Sequence, residues 1–259
     1  MPYTPFDLTG KCALITGGNR GIGLGMADAI AQAGAAVAIW GTDPKANDDA
    51  RQRLEAHGGK VVVLACDIAD EKAVTEGFAE TVAKLGKVDA CFANAGVSTN
   101  RRLATGFAEM SADEWRRVMR VNMDGTFFTL RAAAKHMIER GKGGSIAVTS
   151  SLAAVMGQAR GEHYGATKAG MIAMAQAIAT EYGRYGIRAN AILPGWIETR
   201  LTEKAFAWDK FRDAVLPRVP LRRWGKIEDF GGIAVYLVSD ASAYHSGDTF
   251  VIDGAYRIF

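Results

Sequence analysis

Seven short, nearly continuous apolar runs punctuate this chain. They are KCALITG (11–17), AAVAIWG (35–41), KVVVLACD (60–67), VDACFANAG (88–96), SIAVTSS (145–151), IRANAILPG (187–195) and TFVIDG close to the end. Runs of this length, bounded by glycine, asparagine or aspartate, predict strands buried on both faces. Between them apolar residues recur every three or four positions, which predicts helices. The helical stretches are NRGIGLGMADAIAQAG, a polar one over 44–57, one over 70–85, the long SADEWRRVMRVNMDGTFFTLRAAAKHMIERG, EHYGATKAGMIAMAQAIATEYG, and IEDFGGIAVYLVSD. Ser111 is a candidate helix N-cap, with acidic residues in the turn that follows it. Strand and helix in strict alternation predict an α/β fold, a doubly wound parallel sheet of about seven strands built with right-handed crossovers. Ligands of such sheets bind outside the carboxyl ends of the strands. Gly17, Asp67, Asn94, Ser151 and Pro194 all fall at such ends. No linker, low-complexity segment or repeat interrupts the pattern, so residues 1–259 read as one domain.

Composition narrows the function classes. With 49% hydrophobic and 23% charged residues, the 259-residue chain is that of a soluble globular protein. A net charge of +3 with no basic run argues against nucleic acid. No apolar stretch approaches the ~20 residues of a membrane span, and the start carries no apolar signal core. The 3 cysteines, Cys12, Cys66 and Cys91, lie far apart in apolar runs, which suggests buried thiols in a reducing, cytoplasmic setting and no metal site.

Two features carry chemistry. Tyr164 and Lys168 stand four apart on a predicted helix and therefore share one face. A cation beside a phenol favours phenolate and brings proton exchange with an alcohol or ketone oxygen closer to neutral pH. Taken alone, a packed tyrosine and a solvated lysine are the better explanation of such a pair, and only the rest of the chain tips the balance. The second feature is TGGNRGIG, with Gly17, Gly21 and Gly23 between the first strand and the first helix. Glycines there let the backbone approach a pyrophosphate, which the helix N-terminus attracts. Alone this is a weak signal, and its Gly-x-x-x-Gly-x-Gly spacing departs from the general dinucleotide fingerprint.

With that spacing the sequence resembles the short-chain dehydrogenase/reductase family over nearly its whole length. The resemblance is carried by TGGNRGIG, Asn94-Ala95-Gly96, Asn122 in RVNMDGTF, Ser151 thirteen residues before Tyr164, the Tyr-x-x-x-Lys motif YGATK, and PGWIET from Pro194. It implies a Rossmann-like fold and an NAD(P)-dependent oxidoreductase that moves a hydride between nicotinamide and a secondary alcohol or ketone. In that reading Ser151 holds the substrate oxygen and Tyr164 is the general acid/base. Lys168 lowers the tyrosine pKa and bonds the nicotinamide ribose, and Asn122 supports a relay water.

The resemblance also implies the cofactor contacts. Gly17, Asn19, Arg20, Gly21, Ile22 and Gly23 form the phosphate loop, and Asp67 with Ile68 meets adenine. Asn94, Ala95 and Gly96 shape the ribose side, and Pro194, Gly195, Ile197 and Thr199 lie on the nicotinamide side. The family's position for choosing between NAD and NADP is Gly41 or Thr42. Asp43 favours NAD, whereas Arg20, Thr42 and open space at Gly41 favour NADP(H), towards which the balance leans. His163, Arg160 and Gln158 stand close enough to Tyr164 to enter the substrate site. A lid is expected at about 196–220, with Trp196, Phe206, Trp208, Phe211 and Leu216 either lining an apolar pocket or packing among themselves. A homotetramer acting on a small-molecule substrate is implied. A 3-oxoacyl thioester reductase is the alternative within the family. A catalytically silent dinucleotide-binding protein is the alternative of another class.

Overall fold

A computed structural model describes residues 4–99 and 106–259. Its strands are β1 (Cys12–Thr16), β2 (Ala36–Gly41), β3 (Val61–Ala65), β4 (Ala90–Ala93), β5 (Gly144–Thr149), β6 (Ile187–Pro194) and β7 (Thr249–Ile252). All pair in parallel, in the order β3-β2-β1-β4-β5-β6-β7. The order reverses between β1 and β4, and a crevice opens at their carboxyl ends. Helices α1 (Gly21–Gln32), α2 (Pro44–Glu55), α3 (Glu71–Leu85), α4 (Ala112–Met119), α5 (Gly125–Arg140), α6 (Glu162–Tyr182), α7 (Glu203–Phe206), α8 (Asp209–Val215) and α9 (Gly231–Val238) supply the crossovers and the segment after β6. The parallel seven-stranded Rossmann-like sheet agrees with the pattern of apolar runs. No helix among the described residues is long and apolar enough to cross a membrane.

The sheet is buried on both faces, as nearly continuous apolar strands require. On one face Phe78, Leu130, Met137 and Met171 pack against β-strand residues such as Leu14, Trp40 and Val148. On the other, Met26, Ile30, Leu54, Phe230 and Leu237 cover Ile15, Ile39 and Phe92. Phe92 on the central β4 is 1% exposed, so truncating it to alanine should cost ~3–5 kcal/mol. The Trp40 indole finds its hydrogen-bond partner in Thr81 Oγ1 at 3.0 Å. Cys12, Cys66 and Cys91 are free and buried. Burial pushes the Cys66 thiol up to about 11 and the Cys91 thiol up to about 12.

Local signals behave as expected at most ends. Asp43 caps α2 ahead of Pro44, Asp70 caps α3, and Ser111 Oγ accepts the Glu114 amide at 3.2 Å. The long helix predicted over 111–141 differs. A π-helical turn at Arg120–Asp124 separates α4 from α5. One residue extra in that turn rotates Asn122 inward, where it is fully buried. Periodicity could not reveal this, because a single π turn leaves the apolar spacing on either side intact.

Candidate active site

Three strand ends converge on the crevice. β5 ends at Thr149 and delivers Ser150 and Ser151, while α6 runs back beneath them carrying Tyr164 and Lys168. Lys168 is 3% exposed, and its Nζ donates to the Thr149 carbonyl at 2.7 Å and sits 5.6 Å from the Tyr164 ring centroid. Ser150 Oγ donates to the Lys168 carbonyl at 2.7 Å, which pins that turn of α6 to the strand end. The Ser151 hydroxyl accepts the Ala153 amide at 3.2 Å and lies near enough to the Tyr164 phenol to draw its pKa down. Serine, tyrosine and lysine are thus brought together as the spacing implied.

Their electrostatics depart from expectation. Burial pushes the Tyr164 phenol up, and the Ser151 hydrogen bond draws it down by less. The expected lowering by Lys168 is therefore not the governing effect. Desolvation weakens that cation too, bringing the ammonium down to about 8.

Asn122 reaches this cluster from the π turn. Its Oδ1 accepts the Val97 amide at 2.8 Å, and its Nδ2 donates to the Val97 carbonyl at 3.0 Å and to Thr167 Oγ1 at 3.1 Å. Thr167 Oγ1 in turn donates to the Tyr164 carbonyl at 2.7 Å. Asn122 therefore laces the loop after β4 to the turn of α6 that bears the tyrosine, a task the motif alone did not suggest. Gly96 completes the corner: a Cβ there would stand 3.1 Å from Asn122 Oδ1 and 3.5 Å from Lys168 Nζ.

The glycine loop has the form that a pyrophosphate requires. Gly17 and Gly21 take φ of +64° and +54°, and no side chain caps α1 at Arg20, so its first amides face the crevice. A Cβ on Gly23 would lie 2.3 Å from the Gly17 carbonyl, so the close approach of helix to loop needs a glycine. Ile22 is partly buried against the α1 side of the core. Asn94 Nδ2 donates to the Thr16 carbonyl at 3.0 Å, and Thr16 Oγ1 accepts the Asn94 and Ala95 amides at 3.0 Å each. Asn94 and Ala95 thus brace the loop from β4. Thr16, which sequence reasoning passed over, is the hub of that brace; its place just before Gly17 was the available signal.

Several expectations need correction. Gly41 is not open space: a Cβ there would lie 2.2 Å from Asn19 Nδ2 and 2.5 Å from Asn47 Oδ1. Asn19 donates to Asn47 at 2.8 Å, and Asn47 donates to the Gly41 carbonyl at 3.0 Å, a filled polar knot that nothing in the sequence announced. Asp43 and Arg20 do not act separately but pair at 2.6 Å, with exposed Thr42 alongside. The guanidinium holds the Asp43 carboxyl below its usual range, with Arg200 adding to the effect. Asp67 is exposed and accepts the Ala69 amide at 3.0 Å, while the Ile68 side chain is buried against α5 and leaves only its backbone for a ligand.

On the opposite side, a Cβ on Gly195 would lie 2.6 Å from that of Asp253, so β6 can leave Pro194 this close to β7 only through glycine. Ile197 is buried and bridges Gly225, and Thr199 lies near Gly21, bringing the segment after β6 up to the phosphate loop. His163 does not enter the substrate site. It is 0% exposed and faces Glu114 on α4. Arg160 is exposed with φ +62°, and the exposed Gln158 folds over Gly161. Of the aromatics, Phe206 stacks on Trp224 at 4.1 Å, and Trp196 meets Phe206, Phe211 and Tyr256 edge-on. Trp208 stands 58% exposed. The packing alternative thus describes most of the cluster, and Trp208 stands apart from it.

A glycine cradle on the reversal of strand order and a buried acid/base cluster at the next strand ends fit a dinucleotide and its reacting partner. Together they define an NAD(P)-dependent oxidoreductase acting on CH–OH groups. Residues 17–257 match the family model described as Enoyl-(Acyl carrier protein) reductase. The chain is 34% identical to gluconate 5-dehydrogenase of Gluconobacter oxydans (strain 621H), covering 98% of this chain and 97% of that one. It is 36% identical to L-rhamnose 1-dehydrogenase (NAD(P)(+)) of Sphingomonas sp. (strain SKA58), covering 95% and 96%. The structure of a gluconate 5-dehydrogenase from Burkholderia cenocepacia J2315 in complex with NADP and tartrate superposes with a TM-score of 0.92 at 32% identity, over 99% of this chain and 98% of that one. The chain belongs to the short-chain dehydrogenase/reductase family.

Proposed function

We propose that this enzyme interconverts a secondary alcohol and its ketone, with a sugar or aldonic acid as substrate and NADP(H) as the preferred coenzyme. The convergence of Ser151, Tyr164 and Lys168 on one strand end carries the reading. Ser151 holds the substrate oxygen by its hydroxyl. Tyr164 gives that oxygen a proton in reduction and removes it in oxidation. Lys168 keeps a positive charge beside the phenol and reaches the ribose side near Gly96. When bound, the nicotinamide supplies or accepts the hydride. Relatives that act on gluconate and rhamnose support the substrate class.

The coenzyme preference rests on charge. Arg20 and Arg200 both bear on the single Asp43 carboxylate, and this leaves net positive charge where a 2′-phosphate would lie. The neighbour bound to NADP is in keeping with it. The segment over 196–220 acts as a lid, with the exposed Trp208 as its substrate-facing side chain. Exposed Phe127 on α5 and exposed Ile258 and Phe259 support self-association as a homotetramer, and the buried free thiols suit a reducing cytoplasm.

The test is a panel of sugars, aldonic acids and a 3-oxoacyl thioester, run with NAD(H) and NADP(H) on the native enzyme, Tyr164→Phe, Arg20→Ala and Asp43→Ala. Turnover should fall by ~10²–10⁴ in folded Tyr164→Phe with coenzyme affinity kept. Arg20→Ala should erode the NADP(H) preference in kcat/KM, and Asp43→Ala should sharpen it. Native turnover in Tyr164→Phe would overturn the acid/base assignment. A native NAD preference that vanishes in Asp43→Ala would reverse the coenzyme reading.

A further inference from the structure

A buried charged chain ends one residue before the tyrosine. Glu114, in the first turn of α4, is 4% exposed. Arg117 grips it with two parallel bonds, Nε to Oε2 at 2.7 Å and Nη2 to Oε1 at 2.8 Å. The same Nη2 donates to the Ser98 carbonyl at 2.7 Å, in the loop that leaves Gly96. On its other side Glu114 Oε1 faces the His163 Nε2 at 3.4 Å. His163 belongs to the first turn of α6, which has no side-chain cap at Gly161. An uncapped helix end frays readily, and its first turn needs an outside anchor. Glu162, the other charged residue of that turn, bends back to the Arg160 amide at 3.0 Å and does not reach α4.

Fork-shaped guanidinium–carboxylate pairs fix orientation as well as distance. Leaving a buried carboxylate or imidazole without its partner is costly, so the chain is held as a unit. We propose that Glu114 is a positioning residue which, clamped by Arg117, fixes the first turn of α6 through His163 and so holds the Tyr164 phenol against Ser151. The same clamp ties that turn to the loop after β4 through the Ser98 carbonyl. The proposal rests on the reading of Tyr164 as acid/base.

A displaced acid/base lowers turnover far more than it weakens binding of the coenzyme, because the phosphate loop and the β1–β4 brace lie elsewhere. The experiment compares Glu114→Gln, His163→Gln, the double variant and Arg117→Lys with the native full-length enzyme. It measures kcat and KM with NADP⁺ and D-gluconate, or L-rhamnose if that is the sugar oxidised, together with NADPH affinity by fluorescence. Glu114→Gln should lose roughly ten- to a hundredfold in kcat while KM stays within about threefold and NADPH affinity within about twofold. The double variant should be no worse than Glu114→Gln, because both substitutions break one chain. Arg117→Lys keeps the charge but not the fork, and should fall between native and Glu114→Gln.

A merely structural role would move kcat, KM and NADPH affinity together, and that result would overturn the proposal. So would multiplying losses in the double variant, or native kcat in Arg117→Lys and His163→Gln, which decide the matter should Glu114→Gln not fold. Tyr164→Phe is assayed alongside. If it keeps turnover, the acid/base reading has failed. If it is inactive while the clamp variants turn over natively, only the positioning role has failed.

Discussion

Asn122→Ala should destabilise the protein as well as impair it, because the structure gives this side chain three hydrogen bonds in a fully buried position. Two of them satisfy the amide and carbonyl of Val97, and the third meets Thr167 Oγ1. A neutral hydrogen bond contributes about 1 kcal/mol net, and a partner left unsatisfied costs ~1–3 kcal/mol. Val97 is only partly buried, so water recovers some of its loss. The sum is about 2–4 kcal/mol. For a chain of this size that lowers Tm by roughly 4–16 °C. Scanning calorimetry of the native protein, Asn122→Ala and Asn122→Asp checks it. Aspartate keeps the acceptor for Val97 N–H but places a carboxylate beside the Val97 carbonyl, so it should be no more stable than alanine. A Tm within about 1 °C of native for Asn122→Ala, with turnover still lost, would refute the lacing argument and leave the asparagine a purely chemical task.

Two further outcomes follow from the same geometry. Lys168 holds its proton to only about 8 in the folded protein against 10.5 when solvated, so burying its charge opposes folding at pH 7 by about 3 kcal/mol. Between those values the unfolded chain binds more protons, so the native protein should gain stability relative to Lys168→Met as pH rises from about 8 towards 10.5; a native-minus-variant difference in urea midpoint that is the same at pH 7 and pH 10 would contradict this. Gly41→Ala should drive the added methyl into the Asn19–Asn47 knot, costing ~1–3 kcal/mol and weakening NAD(H) and NADP(H) binding alike; a change confined to one coenzyme, read by fluorescence titration, would show that position 41 faces the ribose after all.

The sheet, its strand ends and the Ser151–Tyr164–Lys168 cluster were legible because each rests on a local pattern. Buried parallel strands are apolar throughout, a Tyr-x-x-x-Lys spacing puts both side chains on one helix face, and glycine is favoured where φ is positive, as at Gly17 and Gly21. What escaped the sequence depends on long-range partners. The Asn19–Asn47–Gly41 knot joins residues 28 and 6 positions apart that no periodicity relates. His163 looked available to the substrate because it adjoins Tyr164, yet successive helix positions point about 100° apart, and its side chain turns to Glu114 on another helix. The tyrosine's pKa was misjudged for a similar reason: spacing shows which charge is near but not how much water the fold removes.

The three thiols give the molecule an internal record of its own opening. Each lies in or next to a different strand, Cys66 just past the edge strand β3, Cys12 in β1 and Cys91 in central β4, and none is more than 6% exposed. Their raised pKa values leave almost no thiolate at neutral pH, so an alkylating reagent must wait until a strand is released. The order in which the three become labelled therefore reads out whether the sheet loosens from its β3 edge inward or parts at the centre, next to the crevice where the strand order reverses.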